Sequence, residues 1–183
     1  MESIPTRLEG PLLLQPAVHG DARGFLVESF RQSVFDRLGI REAFVQDNHS
    51  RSGYGVVRGL HFQVDPPAAK LVRCARGAIA DVLVDIRPGS PTYGQWEAYE
   101  LSDANMRVLY APVGFAHGFA VLSDVADVLY KQSAEWTPHG DRGIAYDDPQ
   151  IGIEWPVPEA DRMVSERDRT APRLADVEQS VAS

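Results

Sequence analysis

The chain has 183 residues, 44% of them hydrophobic and 24% charged, and a formal net charge of −8. This composition is that of an ordinary soluble globular protein, and the length fits one domain over residues 1–183. An acidic chain without a basic stripe argues against a protein that binds nucleic acid. No apolar run approaches membrane-spanning length, so we also expect no membrane association.

The cysteine content and the N-terminus bear on the cellular compartment. Cys74 is the single cysteine, which leaves no partner for an internal disulfide and no cysteine cluster for a metal. Residues 1–10, MESIPTRLEG, lack the basic start and apolar stretch of a signal peptide. We therefore expect a cytoplasmic protein.

Residues 33–39 give the clearest helix signal. Ser33 can cap the N-terminus, Asp36 lies three residues later, and Gly39 can close the C-terminal end. The rest of the chain is dominated by short apolar segments.

Strand and turn signals alternate after this helix. In residues 79–87, IADVLVDIR, apolar and charged residues alternate as in a strand, and turn signals follow at 88–91 and 112–114. Many short strands between Gly, Pro and Asp turns predict an antiparallel sandwich or barrel. The polar stretch from about 159 predicts a C-terminal tail, beginning at about 174.

Residues 56–63, VVRGLHFQ, read as a strand that contains a histidine, His61. In a regular strand His61 and Gln63 share a face, and Gly59 allows a ligand to approach or marks a bulge. A polar strand face turned to water is the commoner explanation of such a pattern. Chemistry at His61 requires partners that converge on it.

Lys70 and His117 are two candidate partners. Lys70 follows the stiff segment 65–69, DPPAA, and most strand-end lysines are solvated, but a fixed ammonium can stabilise a developing negative charge. His117 could be a metal ligand. However, none of the five histidines forms an H-x-H pair or an H-E-x-x-H helix, so we expect no metal.

Tyr130 and Asp168 complete the candidates. Tyr130 shares a strand face with Val128, where packing is the usual role and proton donation is the alternative. Asp168, in VSERD, is either an acidic residue of a polar tail or a carboxylate that holds a histidine in one tautomer.

These pieces occur together in a known order. The sequence resembles the dTDP-4-dehydrorhamnose 3,5-epimerase family of sugar-nucleotide enzymes over about residues 4–173. The resemblance rests on DARGFLVESF (21–30), QDNHSRS (46–52), VVRGLHFQ (56–63), KLVRCARG (70–77), DVLVDIRPGSPTYGQW (81–96), PVGFAHGF (112–119), VLYK (128–131), DDP (147–149), WP (155–156) and SERD (165–168). It implies an all-β, cupin-like jelly roll with a few short peripheral helices, acting as an isomerase without a cofactor.

The resemblance also implies roles for single residues. His61 matches the general base, and Asp168 the carboxylate that orients it. Tyr130 matches the general acid on the opposite face of the sugar, and Lys70 the residue near the 4-keto oxygen. Further positions match substrate contacts, chiefly to the nucleotide and its diphosphate: Arg23, Glu28, Gln46, Asn48, Arg58 and His117.

Members of the family are usually homodimers with exchanged N-terminal strands, so Arg23 and Glu28 are expected to serve the neighbouring subunit. The chain departs from the family pattern in the segment 64–69, which is one residue short. Three further departures are expected to contact substrate. Asp141 and Arg167 replace Glu and Lys, and Trp136 stands among positions where tyrosines are common and can still stack on a nucleobase.

The implied reaction converts dTDP-4-dehydro-6-deoxyglucose to dTDP-4-dehydrorhamnose by inverting carbons 3 and 5. A base removes a proton beside the ketone, and an acid returns one from the opposite face. Inversion of carbon 3 or carbon 5 alone stays open, and a 3,4-ketoisomerase is a lesser alternative. A nucleotide-sugar-binding cupin without activity would be free to lose His61, Tyr130 or Asp168. A metal-dependent cupin dioxygenase would carry bound iron.

Overall fold

The structure, a computed structural model, describes residues 1–181. Short segments with apolar residues at alternate positions form strands, and glycines and prolines separate them. The described strands are β1 (Glu2–Ile4), β2 (Leu12–Gln15), β3 (Val18–Asp21), β4 (Gly24–Val27), β5 (Gln46–Gly53), β6 (Val56–Gln63), β7 (Lys70–Arg76), β8 (Ala78–Asp85), β9 (Trp96–Ser102), β10 (Val108–Ala111), β11 (Phe115–Val121), β12 (Val125–Gln132), β13 (Asp141–Gly143) and β14 (Met163–Val164).

The helices are short and peripheral, namely α1 (Gln32–Arg37), α2 (Glu166–Arg169) and α3 (Leu174–Val181), with a 3-10 helix at Glu159–Asp161. The predicted N-terminal cap at Ser33 is wrong, because the residue at the N-cap is the extended Arg31, two residues earlier, and α1 begins at Gln32. Gly39 does end the helix: it has a φ of +88°, and its N–H donates to the carbonyl of Asp36.

Two large sheets account for most of the strands. The first sheet has the order β1-β2-β10-β7-β12-β5. The second has the order β13-β6-β11-β8-β9, and β14 pairs in parallel with β6. All the other pairings are antiparallel, and β3 and β4 form a separate hairpin. The prediction of an all-β, cupin-like fold is thereby confirmed.

The main core lies between the two sheets. Val72 and Val128 from the first sheet pack in one cluster with Leu83 and Phe119 from the second. Two smaller clusters cover the outer faces, one with Phe35 of α1 on the first sheet and one with Trp155 on the second.

Two segments differ from a simple reading of their sequences. The acidic face of β8 is buried, because Asp81 bonds His117 and Asp85 accepts bonds from Arg87, Ser90 and Thr92. The stretch from 174, expected as a polar tail, forms α3. Leu174 packs in the outer core of the second sheet, and Asp148 caps the helix by accepting a bond from its N–H.

No helix among residues 1–181 is long and apolar enough to cross a membrane.

Candidate active site

His61 and Asp168 form a hydrogen-bonded pair beside the second sheet. His61 lies on β6, and its Nε2 is 2.7 Å from Oδ1 of Asp168 on α2. Oδ2 of Asp168 accepts a bond from the N–H of Gly59, so both carboxylate oxygens are held, and Ser165 caps the short helix by accepting from the N–H of Asp168. Because Nε2 donates to the carboxylate, Nδ1 of His61 is the unprotonated atom and can act as a base.

The carboxylate of Asp168 stays ionised. Burial by itself raises the pKa of this group, but the hydrogen bonds from His61 and from the N–H of Gly59 outweigh burial, and the net pKa lies below the ordinary value. An anion at this position stabilises an imidazolium on His61 after proton transfer.

Lys70 brings an ammonium to the same region. It begins β7 in the first sheet, and its Nζ donates to the carbonyl oxygen of His61 at 3.3 Å. Burial lowers the pKa of Lys70 to about 8, although the carboxylates of Asp141 and Asp81 act in the opposite direction. The group is therefore still mainly protonated at pH 7.

Tyr130 lies on β12 of the first sheet, whereas His61 lies on β6 of the second. Burial raises the pKa of Tyr130, nearby Arg58 opposes this shift, and Asp141 adds to it. The phenol is therefore protonated at neutral pH. Both residues line one cavity, His61 from the second sheet and Tyr130 from the first.

A second buried histidine–carboxylate pair lies beside the first. His117 on β11 is the register partner of His61 on β6, and its Nε2 is 2.9 Å from Oδ2 of Asp81. Both side chains are buried. His117 lines the cavity, and the bond to Asp81 fixes the orientation of its ring.

A chain of hydrogen bonds fixes the amides of Gln46 and Asn48 on β5. The N–H of Trp136 donates to Oε1 of Gln46 at 2.7 Å, and Nε2 of Gln46 donates to Oδ1 of Asn48 at 3.1 Å. This direction of bonding leaves Nδ2 of Asn48 free, and it is buried without a partner within the described residues. Asn48 thus presents a donor, and its orientation depends on the segment that carries Trp136.

The cavity between the sheets has a volume of about 230 Å³. Cations from three elements line it. Arg58 on β6 donates to Ser52, and Arg167 on α2 pairs with Asp141 at 2.6 Å. The full lining comprises Ser50, Arg58, His61, Lys70, His117, Gly118, Phe119, Tyr130, Gln132, Trp136, Asp141 and Arg167. Such a mixed apolar and cationic cavity suits a phosphorylated ligand with a ring to bury.

The family model described as dTDP-4-dehydrorhamnose 3,5-epimerase matches residues 5–176. A protein of that name from Pseudomonas aeruginosa is 48% identical over 176 residues, covering 94% of this chain and 97% of its own length. The chain belongs to the dTDP-4-dehydrorhamnose 3,5-epimerase family.

Solved structures of family members share the fold. The dTDP-6-deoxy-D-glucose-3,5-epimerase of Legionella pneumophila, in complex with dTDP-4-keto-L-rhamnose, has a TM-score of 0.95 and 43% identity, with coverage of 98% of this chain and 96% of that one. A 3'-monoepimerase of Streptomyces bikiniensis in complex with dTDP-quinovose has a TM-score of 0.89 and 35% identity, with coverage of 96% and 89%.

Most of the predicted site residues of this family member converge. The cavity or its immediate wall holds His61, Lys70, Tyr130, Asp168, Arg58, His117, Trp136, Asp141, Arg167, Gln46 and Asn48. Arg23 and Glu28 do not join them within one chain. Arg23 bonds Asp21 at the tip of the β3–β4 hairpin, and Glu28 bonds Arg31.

Sequence reasoning missed the lining residues Ser50 and Gln132, and it missed Asp81, which bonds the lining residue His117. Strand alternation signals two of them, because Ser50 shares a face with Asn48, and Gln132 shares a face with Tyr130. The role of Asp81 depends on its contact with His117, which no local pattern indicates.

No group of three or more His, Cys, Asp or Glu side chains is arranged to hold a metal ion in the part of the chain that the structure describes.

Proposed function

We propose that this protein is an epimerase that inverts carbons 3 and 5 of dTDP-4-dehydro-6-deoxyglucose to give dTDP-4-dehydrorhamnose. The observation that carries the proposal is the placement of His61, with its carboxylate, and Tyr130 on opposite walls of one cavity. Inversion at a carbon requires removal of a proton from one face and delivery to the other, and this arrangement supplies both groups.

The proposed reaction begins at a carbon next to the ketone. Nδ1 of His61 takes the proton, the electrons of the C–H bond form an enolate, and the charge resides on the ketone oxygen. Lys70, as an ammonium in a buried site, stabilises that oxygen as charge develops. Asp168 stabilises the imidazolium of His61 during this step.

Tyr130 then delivers its phenolic proton to the opposite face of the same carbon. The phenolate regains a proton from solvent, and the imidazolium loses one to solvent, so protons balance over the cycle. Repetition at the second carbon gives the doubly inverted product. The ordinary acidity of hydrogens beside a ketone suffices for this chemistry, and no electron transfer takes place.

The nucleotide is assigned to the polar residues around the cavity. Arg58 and Arg167 suit the diphosphate, because guanidinium groups bind phosphate oxygens in a bidentate manner. The half-exposed indole of Trp136 suits stacking on the thymine ring, and Asn48 presents a free amide donor. His117 and Asp141 complete the proposed contacts.

We propose a homodimer in which the β3–β4 hairpin lies over the partner's cavity. The hairpin stands apart from both large sheets, Leu26 on it is 73% exposed, and the Arg23 side chain is 90% exposed. A partner would cover the apolar face and bring Arg23 and Glu28 to a nucleotide. A cytoplasmic location is part of the same proposal, and the lone thiol, Cys74, is free and buried.

The test is an NMR incubation with dTDP-4-dehydro-6-deoxyglucose in deuterated water, without a reductase. Deuterium at carbons 3 and 5, with rhamno-configured product trapped by later chemical reduction, is the expected result. Deuterium at one carbon only would instead assign a mono-epimerase, the activity named for the Streptomyces bikiniensis protein. Absence of exchange at both carbons would overturn the proposal.

A further inference from the structure

Gln132 is a cavity residue to which the mechanism above gives no role. It ends β12, on the same inward face as Tyr130. Its register partners are Gln46 on β5 and Lys70 on β7. Gln132 therefore lies in the same row of side chains as the ammonium and one step along the strand face from the proton donor.

The side chain of Gln132 is buried with an unused donor. The residue is only 6% exposed, and its Nε2 has no hydrogen-bond partner among residues 1–177. An amide donor that is removed from water without an acceptor is unfavourable, and native structures contain few such groups. A ligand that brings a hydrogen-bond acceptor would satisfy the buried amide of Gln132.

Another buried glutamine, Gln63, shows the ordinary arrangement. Its Nε2 donates to the carbonyl oxygens of Pro66 at 2.8 Å and Glu135 at 3.0 Å, and its Oε1 accepts from the N–H of Thr137 at 3.1 Å. Gln63 is thus a structural residue that closes a loop. Gln132 has the same side chain and similar burial, but it makes none of these bonds.

The register partners of Gln132 do not supply the missing acceptor. Lys70 carries only donors, and Oε1 of Gln46 already accepts from the N–H of Trp136. The open side of Gln132 is the cavity. Lys70 and Tyr130 are the groups assigned to the ketone and to the inverted carbon. The space beside Gln132 is therefore where the sugar of the substrate lies, and not its nucleobase.

We propose that Gln132 is a specificity-determining residue whose Nε2–H donates to an oxygen of the substrate's hexose, at or beside the ketone. This proposal rests on the function proposed above and adds to it a residue that recognises the hexose. The donor selects sugars that offer a hydroxyl or ketone oxygen at this point, because a sugar without that oxygen leaves the amide unpaired.

The test compares the wild type with Gln132→Met, which keeps the length of the side chain and removes the donor. Deuterium exchange is measured over a range of dTDP-4-dehydro-6-deoxyglucose concentrations, and dTDP binding is measured by calorimetry. We expect kcat/KM to fall roughly two- to tenfold, as for loss of one neutral hydrogen bond, while dTDP affinity stays unchanged. The melting temperature should stay the same or rise, because an unpaired buried donor has been removed.

Gln63→Met is the matched control for stability. It removes bonds made within the chain, so its melting temperature should fall where that of Gln132→Met does not. Unchanged kcat/KM in Gln132→Met, or an equal loss of dTDP affinity, would overturn the role in sugar recognition. A fall in melting temperature like that of Gln63→Met would make Gln132 a structural residue, which also overturns it.

Failure of the underlying function gives a different pattern. If the wild type exchanges no protons, both the proposed function and this proposal fail. If the wild type exchanges and Gln132→Met matches it, only the assignment of Gln132 fails.

Discussion

Asp168 holds Nε2 of His61 at 2.7 Å, although 107 residues separate them in the chain. The bond leaves Nδ1 of His61 as the free base. Asp168→Asn keeps the shape of the side chain but removes the anion and can present an amide donor to the ring. We expect proton exchange to fall about a hundred- to ten-thousand-fold, because the imidazolium loses its counterion and the tautomer is no longer fixed.

Deuterium wash-in followed by NMR measures this loss, and calorimetry with dTDP should show affinity close to that of the wild type. Glu166→Gln, an exposed change on the same short helix, is the control and should exchange normally. Wild-type exchange in Asp168→Asn, or in His61→Ala, would remove the dyad from the mechanism.

Tyr130→Phe separates proton removal from inversion. Without the phenol, the enolate is reprotonated mainly from the His61 side, where the proton has exchanged with solvent. We expect product formation to slow by about a hundredfold or more, and deuterium incorporation into substrate to slow much less. Tyr99→Phe, in the main core, is the matched control and should leave both rates near wild type. Equal losses of both rates in Tyr130→Phe would argue against a dedicated acid.

The alkaline limb of the pH profile should report Lys70. Burial lowers the pKa of Lys70 to about 8, and only its protonated form stabilises the enolate. As pH rises through about 8 the ammonium is lost, so kcat/KM should fall with a midpoint near that pH. The Lys70→Arg variant keeps its positive charge at higher pH. The fall in its kcat/KM should therefore begin at a higher pH, even though its absolute rate is lower. Coincident limbs in the two proteins would assign the titration to another group.

Trp136→Ala tests the proposed contact with the nucleobase. Stacking of one base on an aromatic ring contributes about 1 to 3 kcal/mol, so dTDP should bind roughly five- to 150-fold more weakly. Trp136→Phe should recover most of this affinity, since it keeps an aromatic face. Calorimetry with dTDP provides the measurement. Equal affinities for wild type and Trp136→Ala would place the thymine elsewhere.

Mixed dimers test whether two chains build each site. His61→Ala and Arg23→Ala should each be inactive alone, but a mixed dimer contains one site with an intact His61 and the partner subunit's intact arginine. Unfolding and refolding the two variants together should therefore restore exchange. A mixture of His61→Ala with Tyr130→Phe is the control, because each of its sites keeps one defect. No recovery in the first mixture would argue against a shared site.

Local sequence was sufficient for much of this architecture. The alternation of apolar and polar residues predicted the strands, and Gly39 marked the end of α1. The same alternation put Tyr130 and Val128 on one strand face, which the structure shows to be the inward face. The N-terminus of α1 was predicted wrongly. Ser33 is a good capping residue, yet the helix begins at Gln32, so Ser33 lies within it and does not cap it; Phe35 of the same helix packs in the outer cluster on the first sheet.

The sequence by itself thus determined which residues alternate along a strand, where turns interrupt the chain, and, through the ordered family motifs, the family to which the chain belongs. Only the tertiary structure decided which side chains contact one another. Asp168 becomes a partner of His61, and the acidic face of β8 becomes a buried support for His117, because α2 and β11 pack against strands that are distant in sequence. Such contacts depend on long-range burial and charge pairing, which leave no periodic trace in the chain.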